Sequence, residues 1–287
     1  MIHYGTSAPK TLPQSTGAVS PLGWSVGFFD DFTSWTQNST NNLAATDATS
    51  DWYCLVDNNK FLLNVGGEQE FYCNPFQTPG CNPFSHSGSI LTITASVPSA
   101  AQLASIKANA GFKASNYSSI GGPYISGAMH SGQVYKATYG YYEINCRQPA
   151  GPGAWTAFWM PNEVAGEMDF LEQAGTTGNE IGCGVHYTGS DGVGSGTQYH
   201  IVTQPNATSQ FNTYGGLWTP NYVAFYFNGA LIFSAPASYT GAVGGANTQF
   251  IINFALGNAN GCGLASPAHL PISMDIDWVR CSVIGPA

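Results

Sequence analysis

Between residues 139 and 234 apolar and polar positions alternate in short runs, and clusters of Gly, Pro, Asn, Ser and Thr separate one run from the next. A period of two marks a strand with one face buried and one exposed. Strands are therefore predicted over 139–147, 154–160, 167–173, 181–187, 222–227 and 230–234, and Asn228-Gly229 between the last two is a strong two-residue hairpin signal. Helix signals are scarce; only the Ala- and Ser-rich stretch 99–109 reads as one, an excursion between strands. Residues 1–23 carry Ser, Thr, Pro and Gly without periodicity and are expected to form a flexible arm or linker ahead of one domain, 24–287. The expected fold class is all-β, a sandwich of two antiparallel sheets.

Parity within the strands says which side chains share a face. In 139–147 the even positions Tyr142, Ile144 and Cys146 are apolar, whereas Tyr141, Glu143, Asn145 and Arg147 form a face expected to line a polar groove. Trp155 and Trp159 share a face of the next strand. In 181–187 the face that carries His186 otherwise presents Gly182 and Gly184, small residues that leave room for a ligand.

One strand departs from simple alternation. Gly166-Glu167-Met168-Asp169-Phe170-Leu171-Glu172 holds three acids within six residues of a chain in which charged residues are only 8%. Glu167 and Asp169 share a face, and Glu172, at an odd offset, would point away unless an extra residue intervenes. A β-bulge at Phe170-Leu171 would return Glu172 to that face, and bulges re-aim side chains beside active sites. Three carboxylates on one face repel and raise at least one pKa. That arrangement suits retaining glycoside hydrolysis, in which one carboxylate attacks the anomeric carbon and a second, protonated, donates to the leaving oxygen. The alternative is a solvated or calcium-binding acidic edge.

Composition narrows the partners. Seven Lys and Arg against sixteen Asp and Glu give a net charge of −9, which disfavours nucleic acid, an anionic membrane surface or a heavily sulfated polymer. Ser, Thr, Asn and Gln in place of charged residues fit a secreted protein, and no apolar run reaches membrane-spanning length. Seven cysteines, an odd number, leave at least one unpaired. Cys73 and Cys81 flank a turn-rich loop that a disulfide could close.

Taken in order, several blocks resemble glycoside hydrolase family 16: Phe29-Asp30-Asp31-Phe32, Glu68-Gln69-Glu70-Phe71-Tyr72, Leu91-Thr92-Ile93-Thr94-Ala95, Tyr139-Gly140-Tyr141-Tyr142-Glu143, the Gly153 to Met160 run, the acid run, Asn253-Phe254-Ala255-Leu256-Gly257 and Met274-Asp275-Ile276-Asp277-Trp278. The resemblance implies a β-jelly roll whose concave cleft binds β-linked polysaccharide. It also implies Glu167 as nucleophile, Glu172 as general acid/base and Asp169 as assisting acid. The bulged spacing is similar to the laminarinase and galactanase side of the family. Trp155 and Trp159 would then stack on sugar faces, His186 would sit near the nucleophile's subsite, and Glu143 and Asn253 would join the substrate-binding residues. Asp277 would carry a structural calcium; no redox or organic cofactor is implied. The expected activity is endo-hydrolysis of β-1,3- or mixed β-1,3/1,4-glucan by a secreted monomer. The alternatives are an agarase-type hydrolase of a neutral galactan and a non-catalytic glucan-binding lectin.

Overall fold

A computed structural model describes residues 7–35, 52–56, 61–63, 67–132, 135–136, 138–162, 166–187, 196–236 and 249–283. In chain order the strands are β1 (Ser25–Asp30), β2 (Glu70–Tyr72), β3 (Phe84–Ser87), β4 (Ile90–Ala95), β5 (Tyr124–Ser126), β6 (Ala128–His130), β7 (Gly140–Arg147) and β8 (Ala154–Asn162). Then come β9 (Gly166–Ala174), β10 (Glu180–Tyr187), β11 (Gly196–Thr203), β12 (Asn212–Trp218), β13 (Tyr222–Phe227), β14 (Ala230–Pro236), β15 (Ile251–Leu256) and β16 (Ile272–Val283). The expected helix is present as α1 (Ala100–Ala108), started by a capping box between Ser99 and Gln102. Asn228 and Gly229 both have positive φ, as the predicted hairpin between β13 and β14 requires.

Apart from β2 and β5, which pair in parallel, the strands form two antiparallel sheets. One runs β14-β13-β12-β7-β16-β4-β3 with β1 also paired to β16; the other runs β11-β10-β9-β8-β15-β6. Consecutive strands cross between the sheets, as from β7 to β8 and from β11 to β12, which makes the sandwich a jelly roll. Between them lies one buried cluster, including Tyr142, Ile144 and Cys146 of β7, Phe158 and Met160 of β8, Met168, Phe170 and Leu171 of β9, and Ile252 and Phe254 of β15. The even face of β7 is therefore core, as its parity predicts.

The odd face of β7 is not a groove. Tyr141 packs with Leu12, Leu217, Tyr222 and Tyr226 on the outside of the larger sheet. Glu143, expected to meet substrate, is buried there and pairs with Arg280, whose Nε donates to it at 2.8 Å. The same guanidinium donates to the carbonyls of Gly17 and Val19 at 2.8 and 2.6 Å. The arm expected to be flexible is seated on this face: Leu12 N donates to Gly229 O, Leu231 N to Lys10 O, and the Tyr226 hydroxyl to Pro9 O. Composition hid this because the anchoring groups are backbone carbonyls, which leave no mark in the sequence.

Cys73 and Cys81 also depart from expectation. Both are buried free thiols, as are Cys146, Cys183, Cys262 and Cys281, and the two side chains hydrogen-bond to each other.

Candidate active site

The free face of the smaller sheet carries the chemistry. On β8 the outward residues are Trp155, Ala157 and Trp159; on β15 they are Ile251, Asn253 and Ala255. Leu55, Val56 and Tyr72, with partly buried Phe61 and Leu63, pack over Ala157, Trp159, Ile251 and Ala255. That cover lies over the β15–β8 half and leaves the β9–β10 half, where the acids stand, as the open part of the face.

The bulge is where parity requires it. Phe158 pairs with Leu171 and Trp159 with Asp169, so β9 has one residue more than β8 between these pairs. On the other side Gly182 faces Glu172 and Gly184 faces Asp169, with the same irregularity. Phe170 and Leu171 both enter the core, which turns Glu172 out beside Glu167 and Asp169. Two large apolar side chains in sequence hold the bulge closed, since each loses buried area if it flips.

Two of the acids form a tight pair. Glu167 and Asp169 share a hydrogen bond. Burial first, then the charges of Asp169 and Glu172, raise Glu167, with the charge of His186 opposing. Burial first, then Glu172, raises Asp169 well above the usual carboxylate range. Such a pair keeps one proton at neutral pH. The Asp169 side chain is 3% exposed and that of Glu167 is 39% exposed. Water reaches Glu167 more readily than Asp169, so Glu167 is the better placed of the two to carry charge. His186 lies opposite Glu167 in register, with Nε2 3.2 Å from Asp169 Oδ2 and 4.0 Å from Glu167 Oε1, and its Nδ1 is 2.9 Å from Thr197 Oγ1.

The third acid sits in different company. Trp155 Nε1 donates to Glu172 Oε1 at 2.9 Å, and the Tyr199 hydroxyl donates to Oε2 at 2.7 Å. Asn260 Nδ2 in turn donates to the Tyr199 oxygen at 3.0 Å. Sequence reading missed Tyr199 and Asn260. It also expected Gly182 and Gly184 to leave room for ligand, whereas a side chain at Gly182 would strike the Tyr199 hydroxyl at 1.9 Å. The small residues make room for Tyr199.

Trp155 and Trp159 share the face as predicted but not the same depth. Trp155 is partly exposed at the acids; Trp159 is 8% exposed and donates through Nε1 to Asn253 Oδ1 at 2.8 Å. Asn253 Nδ2 donates to the Tyr72 hydroxyl at 3.0 Å, and Asn253 is itself buried. Asn253 therefore stands behind Trp159 and braces it.

Asp277 is on the larger sheet, at the irregularity of β16 between Ile276 and Trp278, remote from the acids. Asp31 is the charge that faces it, and burial first and then Asp31 raise its pKa. Calcium takes six to eight oxygen ligands. Among the described residues no third acid, His or Cys joins these two, the one such cluster being Glu167, Asp169 and His186. Asp31 and Asp277 would supply two of those oxygens, and Asp31 Oδ1 already accepts from Thr33 N and Oγ1.

Known proteins resemble this chain in sequence and in fold. Residues 91–280 match the family described as Glycosyl hydrolases family 16. The endo-1,3-1,4-β-glycanase ExsH of Rhizobium meliloti (strain 1021) is 32% identical over 232 residues, 75% of this chain and 45% of that protein. The endo-1,3-1,4-β-glycanase EglC of the same organism is 31% identical over 271 residues, 88% of this chain and 52% of that protein. The chain thus spans about half the length of the curated relatives it matches. A non-specific endo-β-1,3(4)-glucanase of family 16, crystallised with 1,3-β-D-cellotriosyl-glucose, superposes with a TM-score of 0.70 at 19% identity, covering 96% of this chain and 98% of that one. By the length and extent of the family match, this chain belongs to glycosyl hydrolase family 16.

Proposed function

We propose that this chain is a secreted, monomeric, retaining endo-hydrolase of β-1,3- or mixed β-1,3/1,4-glucans. The observation that carries the reading is the bulged β9, which turns Glu167, Asp169 and Glu172 to one face of the sheet. In the first displacement the Glu167 carboxylate bonds to the anomeric carbon as Glu172, protonated, gives its proton to the departing glycosidic oxygen. In the second, water bonds to that carbon, its proton passes to Glu172, and the bond to Glu167 breaks. Asp169 keeps its proton and donates it as a hydrogen bond to the nucleophile. Aromatic Trp155 beside the acids suits the pyranose rings of a neutral polymer, which the acids do not repel. The two Rhizobium relatives, named for 1,3-1,4-β linkages, together with the endo-β-1,3(4)-glucanase that shares the fold, support the glucan over the galactan.

The test is a reducing-sugar screen over laminarin, lichenan and agarose, with NMR of the fresh hydrolysate. Internal cleavage of a β-glucan giving the β-anomer first is expected; action on agarose alone, or an initial α-anomer, overturns the reading. Glu167→Ala should abolish hydrolysis, whereas Glu172→Ala should keep turnover on aryl glycosides with activated leaving groups, which need no protonation. A structural calcium held by Asp31 and Asp277 belongs to the same proposal. Chelation should lower the melting temperature of the native chain and leave that of Asp277→Asn unmoved; equal responses would remove calcium from the account.

A further inference from the structure

Tyr199 reaches Glu172 from two strands away. Its backbone on β11 pairs with Gly184 of β10, and Gly182 of β10 pairs with Glu172 of β9. The ring therefore runs diagonally across β10, over a position where any side chain would collide with it: a Cβ at Gly182 would meet its hydroxyl at 1.9 Å and its ring carbons at 2.4 and 2.7 Å. At the end of that path the hydroxyl donates to Glu172 Oε2 at 2.7 Å, and Asn260 donates to the hydroxyl oxygen at 3.0 Å. Asn260 directs the phenolic proton: with its oxygen already accepting, the hydroxyl points its hydrogen at the carboxylate. Trp155 holds the other oxygen.

We infer that Tyr199 is a positioning residue for the second displacement: set by Asn260 and admitted by Gly182, it fixes the Glu172 carboxylate, the form that must take a proton from the incoming water. The inference rests on the retaining reading above and adds to it a division between the two steps. Without the hydroxyl, the Glu172 carboxylate loses one of the two donors that fix its orientation toward the incoming water. Removing it should slow the step that uses Glu172 as base. The formation of the glycosyl-enzyme from an activated leaving group uses no proton from Glu172 and should be spared.

The experiment uses a 2,4-dinitrophenyl β-laminaribioside, on which release of the glycosyl-enzyme limits kcat while kcat/KM reports its formation. For Tyr199→Phe, kcat should fall about 10- to 100-fold with kcat/KM unchanged, so KM falls in proportion. Azide, which attacks the glycosyl-enzyme without a base, should restore kcat. Asn260→Ala should shift kcat in the same direction by less, and Gly182→Ala, by displacing the ring, should match Tyr199→Phe. A purely structural role would lower kcat and kcat/KM together with KM fixed and no response to azide, and that result, or no change in Tyr199→Phe, overturns the inference. Failure of the unsubstituted chain to cleave any β-glucoside would instead sink the retaining-glucanase reading.

Discussion

Trp155 and Trp159 are four residues apart on one face of one strand, yet their surroundings assign them different work. Trp155 donates to Glu172 and keeps part of its ring open at the acids. Trp159 is closed under Leu55, Val56 and Tyr72 and bonded to Asn253. Trp159→Ala should therefore cost about 3–5 kcal/mol of stability, as emptying a buried aromatic site does, read as a loss in a denaturant titration. Trp155→Ala should leave stability nearly intact and weaken laminari-oligosaccharide binding by about 0.5–1.5 kcal/mol, read by calorimetry. The reverse pattern would exchange their roles. Their common face was legible from parity, but their depth was not, because Leu55 and Val56, which cover Trp159, lie about a hundred positions earlier in the sequence. Tyr199 was illegible for a similar reason: its partner is two strands away, and nothing local to it is charged.

At the scale of the element, β9 was readable because its defect is written in its own residues. An odd spacing between acids, with two apolar residues inside it, admits one extra residue and no other simple repair. β11 was not readable, since half of its residues face solvent and its alternation is weak. β7 was half readable: its apolar face is core, and its polar face was taken for a groove because sequence does not show what covers it. The cover is the arm at residues 8–22, fastened through Arg280, which is 1% exposed and pairs with Glu143 while it binds the Gly17 and Val19 carbonyls. Removing one member of a buried pair strands the other charge, at a cost of about 3–5 kcal/mol. Arg280→Ala should destabilise the fold by that amount and open residues 15–19 to protease well below the global transition. A loss below about 1 kcal/mol with the arm still protected would mean that the pair contributes little and the apolar contacts of Leu12 hold the arm.

Across the whole molecule, buried ionisable groups pull the pH dependence of stability in opposite directions. Burial raises Glu70, Glu167 and Asp169. Above the usual carboxylate range the folded chain then binds protons that the unfolded chain has released, so these acids lose stability as pH rises. His130 on β6 works the other way. Its ring stacks on Tyr53 at 5.3 Å, neither ring nitrogen has a hydrogen-bond partner among the described residues, and burial, then the charge of Lys136, lowers its pKa from 6.5 to about 4. Between pH 6.5 and 4 the unfolded chain binds a proton at His130 that the folded chain refuses. Stability therefore falls as pH drops through that window, by about 3 kcal/mol in all. In the unsubstituted chain the acids offset part of this, so the informative quantity is a difference between two proteins. His130→Phe keeps the stack on Tyr53 and removes the titration. Its unfolding free energy should rise relative to the parent by about 3 kcal/mol between pH 6.5 and 4, with no relative change above pH 7. Parallel curves over the whole range would show that His130 accepts its proton inside the fold, through a water or a moved side chain that neutralises the cost of burying it.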